Sequence, residues 1–241
     1  MACFLFIKGE LKMKKILYTL ILITFTGHLA LSQSTMGINL QGFLPTGELK
    51  KDAPEIGGGG FGFEGTFTIK QSPFHVGGLL EFNHFGSHVR EGYHGPDLGD
   101  VRVKRNFETY KLMGVFRFKP NCGENIFPYF DLLLGAGNIF TRTNIRESFL
   151  EEPIETYFDM DKWAFMYGIG IGNEFFLSDK LILDVFFRTI KSSRIEYLSP
   201  KSIQFDPSTD WYNFEVKSSA FDHINFGVGI KFLFTEILRG Y

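Results

Sequence analysis

The residues best placed to do chemistry are charges embedded in apolar, aromatic and glycine-rich stretches. Glu64, Glu81, Lys111, Arg117, Asp131, Glu174, Asp184, Arg188 and Lys231 each have an apolar residue or glycine beside them. Buried singly, any of them would be costly. Five acids facing four bases can instead neutralise one another through ion pairs and hydrogen bonds. The expected outcome is a buried charge network with a structural role, and the sharper alternative is a proton or ion relay through the same groups.

Other candidates carry less. His84, His88 and His94, with Asp97 and Asp100, are metal-ligand types at an unspecific spacing, so a solvated loop is expected. Glu147, Glu151, Glu152, Glu155, Asp159 and Asp161 form an acidic run that could hold Ca²⁺ but reads as a like-charged loop. Ser87 beside His84 or His88 lacks the acid that would orient the imidazole. Gly60, Gly62 and Gly65 match GxGxxG, yet Thr66 to Lys70 continues as strand where a dinucleotide site needs a helix. Cys3 and Cys122 make neither a disulfide framework nor a CxxC motif. No catalytic, cofactor-binding or metal residue is assigned, and no enzyme is expected.

The elements that hold the nine charges are legible from composition and period. The chain has 241 residues with 44% apolar and 22% charged, which suits an ordered domain. Its 29 Phe and 27 Gly fit aromatic-faced strands in close approach. A net charge of −2 gives no basic field for nucleic acid. Met13-Lys14-Lys15, the apolar run Ile16 to Phe25 and the Ala30-Leu31-Ser32 triplet read as a secretory signal peptide cleaved after Ser32. Residues 1–12 read as an upstream extension, and 33–241 as one barrel domain.

That domain carries stretches of alternating character about ten residues long, the signature of strands crossing a bilayer at a tilt. They fall at 34–44, 58–70, 74–86, 106–118, 126–141, 162–177, 180–191 and 221–234. In the last, Ile224, Phe226, Val228, Ile230, Phe232 and Phe234 share one face against Asn225, Gly227, Gly229 and Lys231. Connections alternate between tight turns near Ser72-Pro73, Asn121-Cys122-Gly123 and Ser178-Asp179 and polar segments at 45–57, 87–105, 142–161 and 192–220. This parity predicts an eight-stranded antiparallel up-and-down transmembrane barrel with short periplasmic turns and four longer outer loops. Tyr110 and Trp163 are expected at the outer rim, and Phe74, Phe118, Phe127, Phe175 and Phe234 at the inner one. A barrel of eight strands is just wide enough to be filled by its own side chains.

The signal peptide, the eight alternating segments, the Phe127-Pro128-Tyr129 entry to the fifth strand and the Gly227-Val228-Gly229-Ile230-Lys231-Phe232 final strand resemble the Bacteroidetes-type outer-membrane β-barrel family, called porin-like or PorT-like. The resemblance implies an outer-membrane location in a Gram-negative bacterium, with membrane lipid and lipopolysaccharide around the wall. It implies a non-enzymatic barrel whose outer loops meet a surface or protein partner. A narrow or gated solute pore, a secretion-assembly factor and a lipid-modifying enzyme are its alternatives. The final strand carries the aromatics Phe226, Phe232 and Phe234, and because Thr235 to Tyr241 follow them the resemblance implies either that the insertion machinery reads Phe232 and Phe234 internally or that the strand extends to Tyr241.

Overall fold

Strands with one apolar face and one charged face can satisfy both only by closing on themselves, because closure pairs every backbone group and sorts the faces inside from outside. The computed structural model describes residues 34–70, 72–93, 100–120, 126–146, 152, 154–199, 203–206 and 211–234. The signal peptide, its cleavage point, Cys122, His94, Asp97, Glu147, Glu151 and Thr235 to Tyr241 lie outside the described residues.

Eight long strands form the barrel: β1 (Ser34–Pro45), β2 (Gly58–Thr68), β3 (Phe74–Tyr93), β4 (Asp100–Phe118), β5 (Ile126–Arg146), β6 (Glu155–Phe176), β7 (Leu181–Ser192) and, after four short strands, β12 (His223–Phe234). Neighbours in the chain pair antiparallel, and β12 closes the circle between β7 and β1. Following paired residues once round from Ser34 through Phe67, Val76, Phe116, Leu132, Ile169, Thr189 and Ile224 returns to β1 at Leu44, a stagger of ten residues. With ~3.3 Å per residue along a strand and ~4.8 Å between strands, that stagger tilts the strands by about 40°.

The outward face is a continuous apolar belt that includes Ile38, Leu40, Leu112, Leu134, Ile169, Val228 and Ile230, all exposed. At the inner turns the backbone is tight. Between β2 and β3, Ile69 donates its N–H to Phe74 O at 2.8 Å, and Lys70 takes a φ of 54°. Between β6 and β7, Leu177 donates to Leu181 O at 2.9 Å.

The opposite end departs from expectation in three ways. The segments read as second and third outer loops, 87–105 and 142–161, are largely strand, because β3 to β6 run on well past the apolar belt. Beyond hydrocarbon the outward residues need not be apolar, so the alternation fades while the hydrogen-bond ladder persists. Register shifts at His84/Gly86 and Thr141/Arg142 mark where the extension begins. The first outer loop contains a one-and-a-half-turn helix, α1 (Gly47–Asp52). The fourth contains β8 (Arg194–Tyr197), β9 (Ile203–Asp206), β10 (Trp211–Phe214) and β11 (Lys217–Ala220), paired as β8 with β11 and β9 with β10. The final strand accordingly starts at His223, not at 221.

Part of this outer structure fills the mouth. Leu49 and Ala53 of the helical loop, with Ile56, are buried beside Phe43, Phe85, Tyr197 and Phe221. Phe43 stacks on His223 at 4.5 Å and lies 5.8 Å from Phe221, and Phe85 meets Phe221 edge-on at 5.2 Å. Polar ties hold the cap down: Thr46 donates to Asp222 O at 2.9 Å, Phe221 to Ser192 Oγ at 2.7 Å, and Arg194 to Glu48 at 2.9 Å. Each fully buried aromatic contributes about 2–3 kcal/mol.

Candidate functional site: the charged lumen

Inward positions alternate along every strand, so each contributes to a common interior. Glycine makes this packing feasible. A Cβ at Gly37 would lie 2.6 Å from Lys231 Cγ, one at Gly170 3.0 Å from Arg188 Cγ, and one at Gly172 2.4 Å from the Tyr129 hydroxyl. These bare positions are the space into which long charged or aromatic side chains fold.

All nine charges singled out in the sequence lie inside and are buried. Arg117 is their hub: Nε and Nη2 form a fork on Asp131 at 2.7 and 2.8 Å, Nη1 donates to Glu174 at 3.0 Å, and Nη2 lies 2.9 Å from Glu64. A bidentate fork on a carboxylate is the strongest arrangement a guanidinium can make. Lys231 meets Glu64 at 2.6 Å and Glu174 and Asp184 at 3.0 Å each. Arg188 bridges Glu64 at 2.5 Å and Glu81 at 3.2 Å, and Lys111 meets Glu81 at 2.6 Å. Glu64 and Glu81 join the groups into one network.

Several members had not been singled out. Lys119 contacts Glu174 at 2.9 Å and brings the bases to five against five acids. Its inward parity with Arg117 was available, but the strand was read as ending at Phe118. Tyr129 donates its hydroxyl to Asp184 at 2.8 Å while its ring lies 3.7 Å beneath the Arg117 guanidinium. Asn225 donates to both Gln41 and Glu81, Gln41 donates to Asn83, and Lys111 lies 3.0 Å from His223 Nε2. The two-residue period puts Asn225 and Tyr129 on inward faces, but which of these polar neighbours meet is decided only when strands distant in sequence close.

Phe127 is a correction. It was expected in the inner aromatic girdle, but it shares the inward face of β5 with Tyr129 and Asp131. It packs edge-on against Phe176 at 5.0 Å, below the charges. Phe74 and Phe118 are exposed on the outer wall, 5.3 Å apart, and Phe226, Phe232 and Phe234 point outward from β12.

The remaining candidates do not converge. His84 and His88 lie on β3, with His84 Nδ1 3.8 Å from Glu108. Asp159 accepts from Thr143 and Asp161 from Asn138, so these two acids are engaged separately. Among the described residues no three His, Cys, Asp or Glu side chains gather as a metal site. Gly60 and Gly62 face inward against Asn83 and Asn39, within strand β2. A hollow of about 770 Å³ lies against the exposed side chains of Phe116, Leu132, Leu134, Tyr167 and Ile169, on the outer wall.

A closed eight-stranded barrel with an apolar exterior and a charged, self-neutralised interior defines a transmembrane barrel of the Gram-negative outer membrane. No protein-family model matches the sequence, and no curated protein matches it. Solved structures do. The Yersinia pestis attachment invasion locus protein Ail is 14% identical over 85% of this chain and 99% of its own, with a TM-score of 0.41. Neisserial surface protein A is 12% identical over 84% and 97%, with a TM-score of 0.43. The Escherichia coli outer membrane protease OmpT is 7% identical over 84% and 95%, with a TM-score of 0.36.

Proposed function

We propose that the protein is a non-conducting, non-enzymatic outer-membrane barrel whose rigid wall carries an outer surface for contact with lipid and with a partner. The observation that carries this reading is the interior. Arg117, Lys231, Arg188 and Lys111 occupy the cross-section with five carboxylates, and the cap over Phe43, Phe85 and Phe221 fills the mouth above them. A lumen packed in this way stabilises the wall and leaves outer contacts as the working surface.

On this reading the chain resembles the PorT-like barrels of Bacteroidetes, loses its signal peptide after Ser32 and works as 33–241. The insertion machinery recognises the outward aromatics Phe232 and Phe234. Ser87 and His84 act as wall residues, not as a nucleophile and base.

Single-channel recording in planar bilayers tests the central claim. The folded protein is expected to give no discrete openings at any voltage that leaves the bilayer intact. Reproducible unitary steps would overturn it in favour of a narrow pore.

A further inference from the structure

The extensions of β4 and β5 above the belt carry an unusual surface. On the face continuous with the lipid-facing wall, β4 presents Asn106, Lys104 and Arg102, and β5 presents Arg142, Asn144 and Arg146. The register places Arg102 directly opposite Arg146, Lys104 opposite Asn144 and Asn106 opposite Arg142. With Thr156 of β6 they line a polar cleft of about 340 Å³. Its amides Asn106 and Asn144 are buried, and Thr156 donates to Asn144 at 2.9 Å.

Like charges directly opposite in a sheet have Cβ atoms about 5 Å apart and destabilise it. Arg102 and Arg146 each have further interaction partners, so the charge left for a ligand is that of Lys104 and the open edge of Arg142. Among the described residues, Glu108 holds Arg142 Nη2 at 2.9 Å, and the exposed Glu91 lies 3.4 Å from Arg102. Lys104 makes no ion pair with any described residue, and Arg142 Nε is buried without a hydrogen-bond partner. Guanidinium forks beside an ammonium on an amide floor suit the oxygens of clustered phosphates.

Height identifies the source of those phosphates. Strands tilted by about 40° climb ~2.5 Å per residue, so the bases lie about 10–20 Å above the level of Tyr110. That is beyond the polar layer of a phospholipid leaflet, which adds only about 5–7 Å to the hydrocarbon on each side. It fits the phosphorylated sugars of a larger glycolipid. Below the cleft, Tyr110 stacks on the buried Phe140 at 5.0 Å, and a ramp of rings descends from Tyr110 to Phe82 at 5.0 Å and to Phe61 at 5.4 Å. Strand tilt carries β3 and β2 beneath the extended ends of β4 and β5, so this apolar ramp lies where the acyl chains of the same molecule would run.

Resting on the outer-membrane reading above, we infer that the cleft between β4 and β5 binds the sugar-borne phosphates of an outer-leaflet glycolipid while its acyl chains pack on the Phe61 to Tyr110 ramp. The test uses the full chain folded in zwitterionic detergent. It is titrated with lipopolysaccharide carrying its core phosphates, with the same material after phosphatase treatment, and with inositol hexakisphosphate as a free polyphosphate. Binding is read from the shift in the heat-unfolding midpoint. The phosphorylated glycolipid is expected to bind, and phosphate removal or Lys104→Gln to weaken it about tenfold, with Lys104→Arg restoring it. Thr156→Glu, a charge introduced at the exposed lip, is expected to give the same loss without touching a base. Equal affinity for treated and untreated glycolipid, or no effect of Lys104→Gln and Thr156→Glu in barrels that still fold, would overturn the site. Inositol hexakisphosphate binding as tightly as the glycolipid would overturn the lipid as its source.

Discussion

Arg117 shows how much one buried charge can be asked to hold. Its guanidinium meets Asp131, Glu174 and Glu64 and stacks on Tyr129, and all four neighbours are themselves buried. Replacing it with methionine roughly keeps volume but strips Asp131 of its fork and takes one partner each from Glu64 and Glu174. Breaking a buried pair from one side costs about 3–5 kcal/mol because a charge is stranded away from water. Arg117→Met is therefore expected to lower the temperature at which the heat-modifiable gel shift is lost. An unchanged midpoint would show that the network contributes little to stability. The period-two rule already placed Arg117 and Asp131 on inward faces, but not the 2.7 Å contact between them, which depends on the pairing of β4 with β5.

At the scale of the strand, β12 carries the clearest division of faces. Val228 lies mid-strand, exposed on the outer wall between Phe226 and Ile230, while its neighbours Gly227 and Gly229 press against the backbone of β1. An arginine at 228 would sit near the midplane of the hydrocarbon, where a lipid-facing base costs about 2–4 kcal/mol. Val228→Arg is expected to reduce the folding free energy by that amount in denaturant titrations in phospholipid vesicles. A neutral result would mean that this face does not meet hydrocarbon. Strand ends were the weak point of the sequence reading for a related reason. Alternation reports contact with lipid, so it marked the crossing part of β3 to β6 and missed their polar extensions. It also misplaced Phe127, at a strand entrance where apolar residues stand on both faces.

Across the whole molecule, eight strands staggered by ten residues leave a lumen that its own side chains fill, with the cap closing the outer end. Ion pairs held away from solvent are hardly screened by salt, whereas exposed charges are screened over a Debye length of about 3 Å at 1 M. The unfolding midpoint is therefore expected to move little when sodium chloride is raised from about 0.1 to about 1 M. A large drop would place the network in contact with bulk water.

The sequence by itself determined the eight crossings and their inward and outward faces, with the nine charges on the inward ones. Each of these follows from a local rule, since a two-residue period and turn chemistry are written into consecutive residues. Only closure decided the rest: which acid meets which base, the entry of Lys119 and Tyr129 into the network, the seating of α1 and Phe221 over the mouth, and the pairing of Arg102 with Arg146. Those contacts join residues far apart in the chain, and their geometry is set by stagger and tilt, which belong to the barrel as a whole and to no single segment.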